Sequence, residues 1–407
     1  MFFAGKLFKI IGMDFKILEG ELKKLKNFED NLKEAKAGFE SEKLNFKHDK
    51  SNKKNECILI NGNSGLAKGA IDSGLEWYYS YPMTPATPVM MELGQLSIEK
   101  DAKHKVVELE NEIAVMMATL GSSLTGSISM CGTSGGGFDL MTEAFSMAGQ
   151  AEIPLVCYLS SRPGPSTGLA TYSSQGDLDL ALYSGHGEFN RIVLAPGDPL
   201  ESIELTNQAF YLSQKFRTPA IVLGDKNLAE SKSVVIGSPK IIEIKKSITY
   251  PERFNSYEHD ENGNSIEDAK TTVKNFDKRM KISKEIAKES KKFEMINIHG
   301  NKNSKNLILG WGSTKGVIID AIFEGNIDAK FLQVLYLEPF SENIKKELEK
   351  ADNVLIVENN ATSQLSKLIA GKTGFIIKDK NKILRYDGRG FFSDELAEEI
   401  KRRMRGK

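Results

Sequence analysis

Cysteine is scarce in this sequence, with three among 407 residues: Cys57, Cys131 and Cys157. None belongs to a Cys-x-x-Cys pair or has a histidine nearby, so the chain by itself can supply neither an iron–sulfur cluster nor a structural zinc site. That usage predicts an intracellular, reducing compartment, the cytoplasm. Excess charge is missing as well: 55 basic residues balance 55 acidic ones, which makes nucleic acid a poor partner. No apolar run approaches the roughly 20 residues that a membrane span needs. The longest near the start, residues 7–13, is interrupted by Lys9, and neither an anchor nor a secretion signal is visible. Proline is modest at 12, and the 35 glycines follow no collagen-like period. What remains is a globular α/β composition, long enough for two or three domains and too long for a small stapled scaffold.

The balanced total hides an uneven distribution. Residues 57–235 carry 19 acidic against 10 basic side chains. A cleft for a polyanionic cofactor would not be built from that segment alone, so the ligand is mostly apolar or a partner or metal neutralises it. The same segment repeats a pattern of short apolar run, loop of Gly, Ser, Thr and Pro, then helical periodicity. The runs are 57–60, 77–80, 127–131 and 154–159, each leading into such a loop. This alternation predicts a parallel sheet covered on both faces, with a ligand site at the carboxyl edge of its strands. Residues 236–299 break the pattern and read as a charged connector. From Asn306 it resumes, giving a second, smaller α/β domain over 300–407. The terminal Lys401–Arg405 run reads as a solvated helix end.

Several loop residues invite a chemical role. Arg162 is the only Lys or Arg between Lys105 and Arg191; it either grips a small carboxylate or pairs with a structural Asp or Glu. Glu110 and Glu112 open a helix, where carboxylates commonly just satisfy the dipole and the free amides; the alternative is proton exchange with a ligand nitrogen. Thr84 lies between Pro82 and Pro85 in a stiffened loop. The Thr133-Ser-Gly-Gly-Gly loop could bring a helix N-terminus to an anion, but it lacks the Lys of a Walker loop and the spacing of a dinucleotide fingerprint. His186, in Gly185-His-Gly-Glu188, reads equally as an ordinary loop histidine or a catalytic one.

Taken in order, the stretches Tyr81-Pro-Met-Thr-Pro-Ala-Thr, Glu108-Leu-Glu-Asn-Glu-Ile-Ala, Thr133-Ser-Gly-Gly-Gly-Phe, Arg162-Pro-Gly-Pro-Ser-Thr-Gly-Leu, Gln175-Gly-Asp-Leu, Gly185-His-Gly-Glu-Phe, Glu258-His-Asp-Glu, Val357-Glu-Asn-Asn and Arg385-Tyr-Asp-Gly-Arg resemble the alpha subunit of 2-oxoacid:ferredoxin oxidoreductases. The likeness is strongest to the 2-oxoglutarate synthase (KorA-type) branch. Two departures, Ala170 and Gly390 where the family often has proline, touch none of the proposed chemistry.

The resemblance implies a pyrimidine-type thiamine diphosphate-binding domain over 57–235 and a transketolase C-terminal-like domain over 300–407. It implies that a beta subunit holds the diphosphate, its Mg2+ and an iron–sulfur cluster, with no metal on this chain. The implied reaction is oxidative decarboxylation of 2-oxoglutarate with coenzyme A as substrate, the electrons passing to ferredoxin. By position, Glu110 would meet the aminopyrimidine and promote loss of the thiazolium proton, with Glu112 the alternative two residues on. Tyr81, Pro82, Thr133, Ser134, Gly135 and Phe138 would complete the cofactor half-site. Thr84, Arg162, Ser166 and Thr167 would meet the substrate. Residues 1–56 resemble a helical remnant of a gamma domain, implying a separate gamma polypeptide, and the assembly would be an alpha–beta heterodimer or its dimer. Pyruvate or branched-chain specificity, a dehydrogenase or transketolase-like enzyme, and a non-catalytic scaffold subunit are the competing expectations.

Overall fold

Residues 1–43, 57–99, 101–247 and 255–404 are described by the structure, a computed structural model. The end of the gamma-like segment, part of the connector (248–254) and Arg405 lie outside the described residues. The chain forms two compact units, Met1–Glu56 and Cys57–Lys407. No helix among the described residues is long and apolar enough to cross a membrane.

In the first unit, helices Phe2–Ile10, Phe15–Leu22 and Phe28–Glu40 close on a small core of Leu18, Leu22 and Ala35, flanked by Phe8, Phe15 and Phe28. Asp14 caps the second helix by accepting from the Lys16 amide at 3.0 Å. The outer two helices cross at glycines: a Cβ at Gly5 would overlap the Ala35 carbonyl, and one at Gly38 the Phe2 carbonyl. Backbone cannot yield as a side-chain tip can, so Gly38→Ala is expected to cost about 1–3 kcal/mol by overpacking. A unit this small has little stability to lose. Hydrogen exchange over residues 1–43 should therefore accelerate strongly, and unchanged protection would show that the helices can part without cost.

The second unit contains, in chain order, β1 (Cys57–Ile60), β2 (Trp77–Ser80), β3 (Lys105–Glu108), β4 (Ser129–Thr133), β5 (Val156–Ser161), β6 (Ile192–Leu194), β7 (Ala220–Asp225), β8 (Ser233–Ile236), β9 (Ile296–Gly300), β10 (Asn306–Trp311), β11 (Lys330–Val334), β12 (Tyr336–Glu338), β13 (Asn353–Glu358) and β14 (Lys382–Leu384). The larger sheet runs β12-β6-β7-β5-β4-β2-β3 and the smaller β14-β13-β10-β11-β9. Both are parallel except at one edge, where β12 and β9 run antiparallel to their neighbours. Central strands β4, β5 and β7 are buried throughout, as expected where helices cover both faces.

Three expectations are corrected. The run 57–60 is not part of the large sheet; β1 pairs antiparallel with β8 in a separate ribbon, because its partner lies far along the chain. The stretch 236–299 is more than a connector: helix Ala269–Ser290 packs on helix Pro199–Phe216 with Tyr211 Oη donating to Glu289 at 2.8 Å, and β9 already belongs to the smaller sheet. Nor are the two sheets independent bodies. One apolar cluster runs from Phe138, Leu159 and Leu223 to Trp311, Leu332 and Ile356, and β12 from beyond the connector extends the larger sheet.

Candidate active site

In the larger sheet β3 lies on one side of β2 and β4 on the other. The chain therefore reverses its direction of travel across the sheet between β2 and β4, and the crevice at the carboxyl ends of such a pair is where open α/β sheets bind ligands. The loops leaving β2, β3, β4 and β5 meet there.

Downstream of β3, Asn111 is the N-cap of helix Glu112–Leu124, its side chain accepting from the Ala114 amide at 2.9 Å. This cap puts Glu110 outside the helix and Glu112 in its first turn. Glu110 is exposed, whereas Glu112 is 4% exposed and its buried Oε1 has no hydrogen-bond partner. Of the two carboxylates, the interior one is Glu112.

Across the crevice, β4 delivers Thr133 and Ser134 to helix Gly135–Gln150. Ser134 is the N-cap residue yet makes no side-chain cap, and its buried Oγ is unpartnered. Thr133 Oγ1 has only distant partners, Met83 Sδ at 3.8 Å and the Ser134 carbonyl at 3.5 Å. A Cβ on Gly137 would overlap Thr133 Oγ1 and come within 2.6 Å of Glu112 Oε1; glycine is what lets the helix approach both groups. Three polar side-chain atoms that proteins normally satisfy thus sit weakly bonded or unbonded around one helix N-terminus, whose free amides favour a polar or anionic ligand.

Arg162 follows β5 and donates from Nη1 to the Thr84 carbonyl at 2.7 Å, joining the β5 and β2 loops. Among the described residues no carboxylate lies at ion-pair distance from it, although its charge is felt by Asp177; its one hydrogen bond there is the Nη1 bond to Thr84. Ser166 and Thr167 lie exposed on the same loop. The Ser166 carbonyl lies near the open side of Gly136. Tyr81 and Pro82 are exposed beside Thr84. Phe138, expected against the cofactor, instead points into the core and packs edge-on against Phe145. His186 is exposed at the other end of helix Gly135–Gln150, where Gly187 and Glu188 border a cavity with Gln150, Glu258 and Arg279; it is not brought to the crevice.

One group that sequence reasoning passed over is Asp177. It accepts from Ser161 Oγ at 2.7 Å and lies where a Gly135 Cβ would be. Burial pushes its carboxyl up to about 6, helped by Asp139; the Ser161 hydrogen bond and the Arg162 charge oppose the rise. A raised carboxyl pKa means the folded chain binds the proton more tightly than the unfolded chain, so stability should fall as pH rises from about 4 through 6 and then level off. Asp177→Asn should remove roughly 2 kcal/mol of that slope, after discounting for partial exposure. Urea melts of both proteins at pH 4.5 and 7.5 test this, and equal pH dependence in the two would refute it.

The profile of the family described as "Pyruvate flavodoxin/ferredoxin oxidoreductase, thiamine diP-bdg" matches residues 68–298. The chain is 35% identical to 2-oxoacid:ferredoxin oxidoreductase 1, subunit alpha, of Sulfurisphaera tokodaii, over 86% of this chain and 62% of that one. It is 30% identical to the 2-oxoglutarate synthase subunit KorA of Archaeoglobus fulgidus, over 75% of this chain and 89% of that one. Among solved structures, the 2-oxoglutarate:ferredoxin oxidoreductase from Magnetococcus marinus, with 2-oxoglutarate, coenzyme A and succinyl-CoA bound, matches 99% of this chain and 77% of its own. The TM-score is 0.87 and the identity 25%. The chain therefore spans 62% of the length of the Sulfurisphaera relative.

Proposed function

The chain belongs to the 2-oxoacid:ferredoxin oxidoreductase family as an alpha subunit, and on that premise we propose that it forms half of a thiamine diphosphate site for the oxidative decarboxylation of 2-oxoglutarate. The balanced reaction consumes the 2-oxoacid and coenzyme A, and yields acyl-CoA, carbon dioxide, a proton and two electrons for ferredoxin. The observation that carries this reading is the buried, unpartnered Glu112 Oε1 beside Thr133 and the helix N-terminus at Gly135–Gly137.

These residues fit an aminopyrimidine, which offers a ring nitrogen, an exocyclic amine and an apolar face. When bound, thiamine diphosphate supplies the carbon nucleophile and the electron sink. Glu112 Oε1 would meet the ring nitrogen and would hold or share a proton there. Glu110, exposed beyond the N-cap, is replaced in that role by Glu112. The Thr133 and Ser134 hydroxyls are the nearby donors and acceptors for the ring substituents. Arg162 presents its uncommitted guanidinium edge to the substrate carboxylate, and Thr84, tied to Arg162 through its carbonyl, fixes the opposite wall. Ser166 and Thr167 line the loop above.

Residues 57–235 carry 19 acidic against 10 basic side chains, which favours a beta subunit as the holder of the diphosphate, Mg2+ and the iron–sulfur cluster, with ferredoxin and a gamma polypeptide as further partners. Ile113 and Met117 stand exposed one helical turn apart on the helix that carries Glu112, an apolar strip suited to the beta subunit beside the shared site. The unpaired cysteines suit a reducing cytoplasm.

The test is anaerobic co-expression with the beta subunit, followed by coenzyme A-dependent viologen reduction with 2-oxoglutarate and pyruvate in parallel. Reduction with 2-oxoglutarate supports the proposal, and preference for pyruvate or a branched-chain oxoacid overturns the substrate. No reduction by an intact, cofactor-loaded complex would leave a scaffold subunit.

A further inference from the structure

We infer that Gln175 and Asn359 are positioning residues: through them the domain that follows the connector holds the loop 162–174 in the shape in which Arg162 meets its substrate. The inference rests on the proposed role of Arg162.

The loop between β5 and helix Leu178–Tyr183 has no regular structure and is exposed from Gly164 to Leu169. Segments of this length without structure are normally mobile unless something ties them down. Within the loop, backbone bonds are few: Leu169 N–H to the Pro163 carbonyl at 3.0 Å and Tyr172 N–H to the Leu169 carbonyl at 3.1 Å. At its start, Arg162 reaches Thr84. The rest of the restraint comes largely from across the chain.

Gln175 is wholly buried and every polar group it has is spent on the second sheet's loops. Its N–H donates to the Asn359 carbonyl at 2.8 Å, and its Oε1 accepts from the Asn359 amide at 2.9 Å. Its Nε2 donates to the Trp311 carbonyl at 2.8 Å, and its own carbonyl accepts from Asn360 Nδ2 at 3.2 Å. Asn359 passes the restraint on, its Nδ2 lying 2.9 Å from both the Arg385 and the Arg389 carbonyls. The turn so held returns to the loop: the Gly388 carbonyl accepts from Ser173 N–H at 3.0 Å, and Arg389 stacks over the Tyr172 ring at 4.4 Å. Glu358, fully buried, accepts from Asn360, Ser363 and the Leu365 amide and keeps the Asn359 turn rigid.

Gln175-Gly-Asp, Glu358-Asn-Asn and Arg385–Arg389 are thus one clasp around one loop. A loop ordered during folding does not have to be ordered again when substrate arrives, and Arg162 is then held for a near-attack geometry. A purely structural clasp would affect the amount of folded enzyme; a positioning clasp affects the Michaelis constant for the oxoacid.

The experiment compares wild type, Gln175→Glu and Arg389→Ala in the complex with the beta subunit. Gln175→Glu removes the donor to Trp311 at constant volume, and Arg389→Ala strips only the surface stack. For folded Gln175→Glu we expect about tenfold faster hydrogen exchange of the loop amides and about a tenfold higher KM for the oxoacid, with Arg389→Ala about threefold in both. Deuterium exchange at the thiazolium carbon should stay within about twofold of wild type, since Glu112 is untouched. Unchanged loop exchange overturns the clasp, as does faster exchange with an unchanged KM. If Gln175→Glu fails to fold, Arg389→Ala decides by the same two readouts. Absence of oxoacid turnover in the wild-type complex defeats the proposed function, whereas loop exchange reports on the clasp independently.

Discussion

Glu112→Gln is expected to lower turnover of the alpha–beta complex by about 10²- to 10⁴-fold, the range for losing a positioned acid–base group, and to slow deuterium exchange at the thiazolium carbon by the same factor. Glutamine keeps the volume and can still hydrogen-bond, so packing against Gly137 and Thr133 survives and only proton exchange is lost. The stability of the chain alone should not fall, because the substitution exchanges a buried, unpartnered carboxylate oxygen for a neutral amide; polar groups placed for a ligand commonly cost stability without it. Glu110→Gln is the control. Glu110 is exposed, and a surface substitution of this kind is worth within about 0.5 kcal/mol, a factor of about two in rate. Wild-type exchange in Glu112→Gln together with its loss in Glu110→Gln would reverse the assignment.

That pair also marks how far the sequence could be read. The apolar runs 77–80, 127–131 and 154–159, bounded by Gly, Ser, Thr and Pro, fall within two residues of β2, β4 and β5, because strand length and loop chemistry are local. The choice between Glu110 and Glu112 had a local signal too: Asn111 is a strong N-cap type, and a cap there places the following residue inside the helix. What local pattern cannot supply is which first-turn side chain faces the next loop, since that depends on β3 and β4 flanking β2. The same limit hid β1, whose partner β8 pairs Cys57 with Ile236. It hid the role of the Gln175 and Asn359 motifs, whose side-chain bond joins residues 184 apart. Arg162 was singled out by the emptiness of its charge neighbourhood, a property of the sequence, but whether it was paired was a matter of tertiary contact.

The absence of a close ion pair on Arg162 among the described residues sets the second large effect. Arg162→Ala is expected to raise KM for the oxoacid by about 10- to 150-fold, the loss of a charged hydrogen bond of roughly 1.5–3 kcal/mol. A structural arginine would behave otherwise: removing it would strand a carboxylate and destabilise the fold. Among the described residues the hydrogen bond lost is to the Thr84 carbonyl, in a half-buried position where water can substitute, and Asp177 loses only one minor favourable charge, so the melting temperature should move little. Arg162→Lys should recover only part of the affinity, because an ammonium cannot reproduce the planar fork offered to a carboxylate. Thiazolium deuterium exchange in Arg162→Ala should match wild type, since it precedes any contact with the oxoacid; in Glu112→Gln it is the quantity that fails. The two variants therefore separate the cofactor half of the crevice from the substrate half. An unchanged KM in a folded Arg162→Ala complex would remove Arg162 from the substrate site and leave it only the bond that ties the β5 loop to the β2 loop.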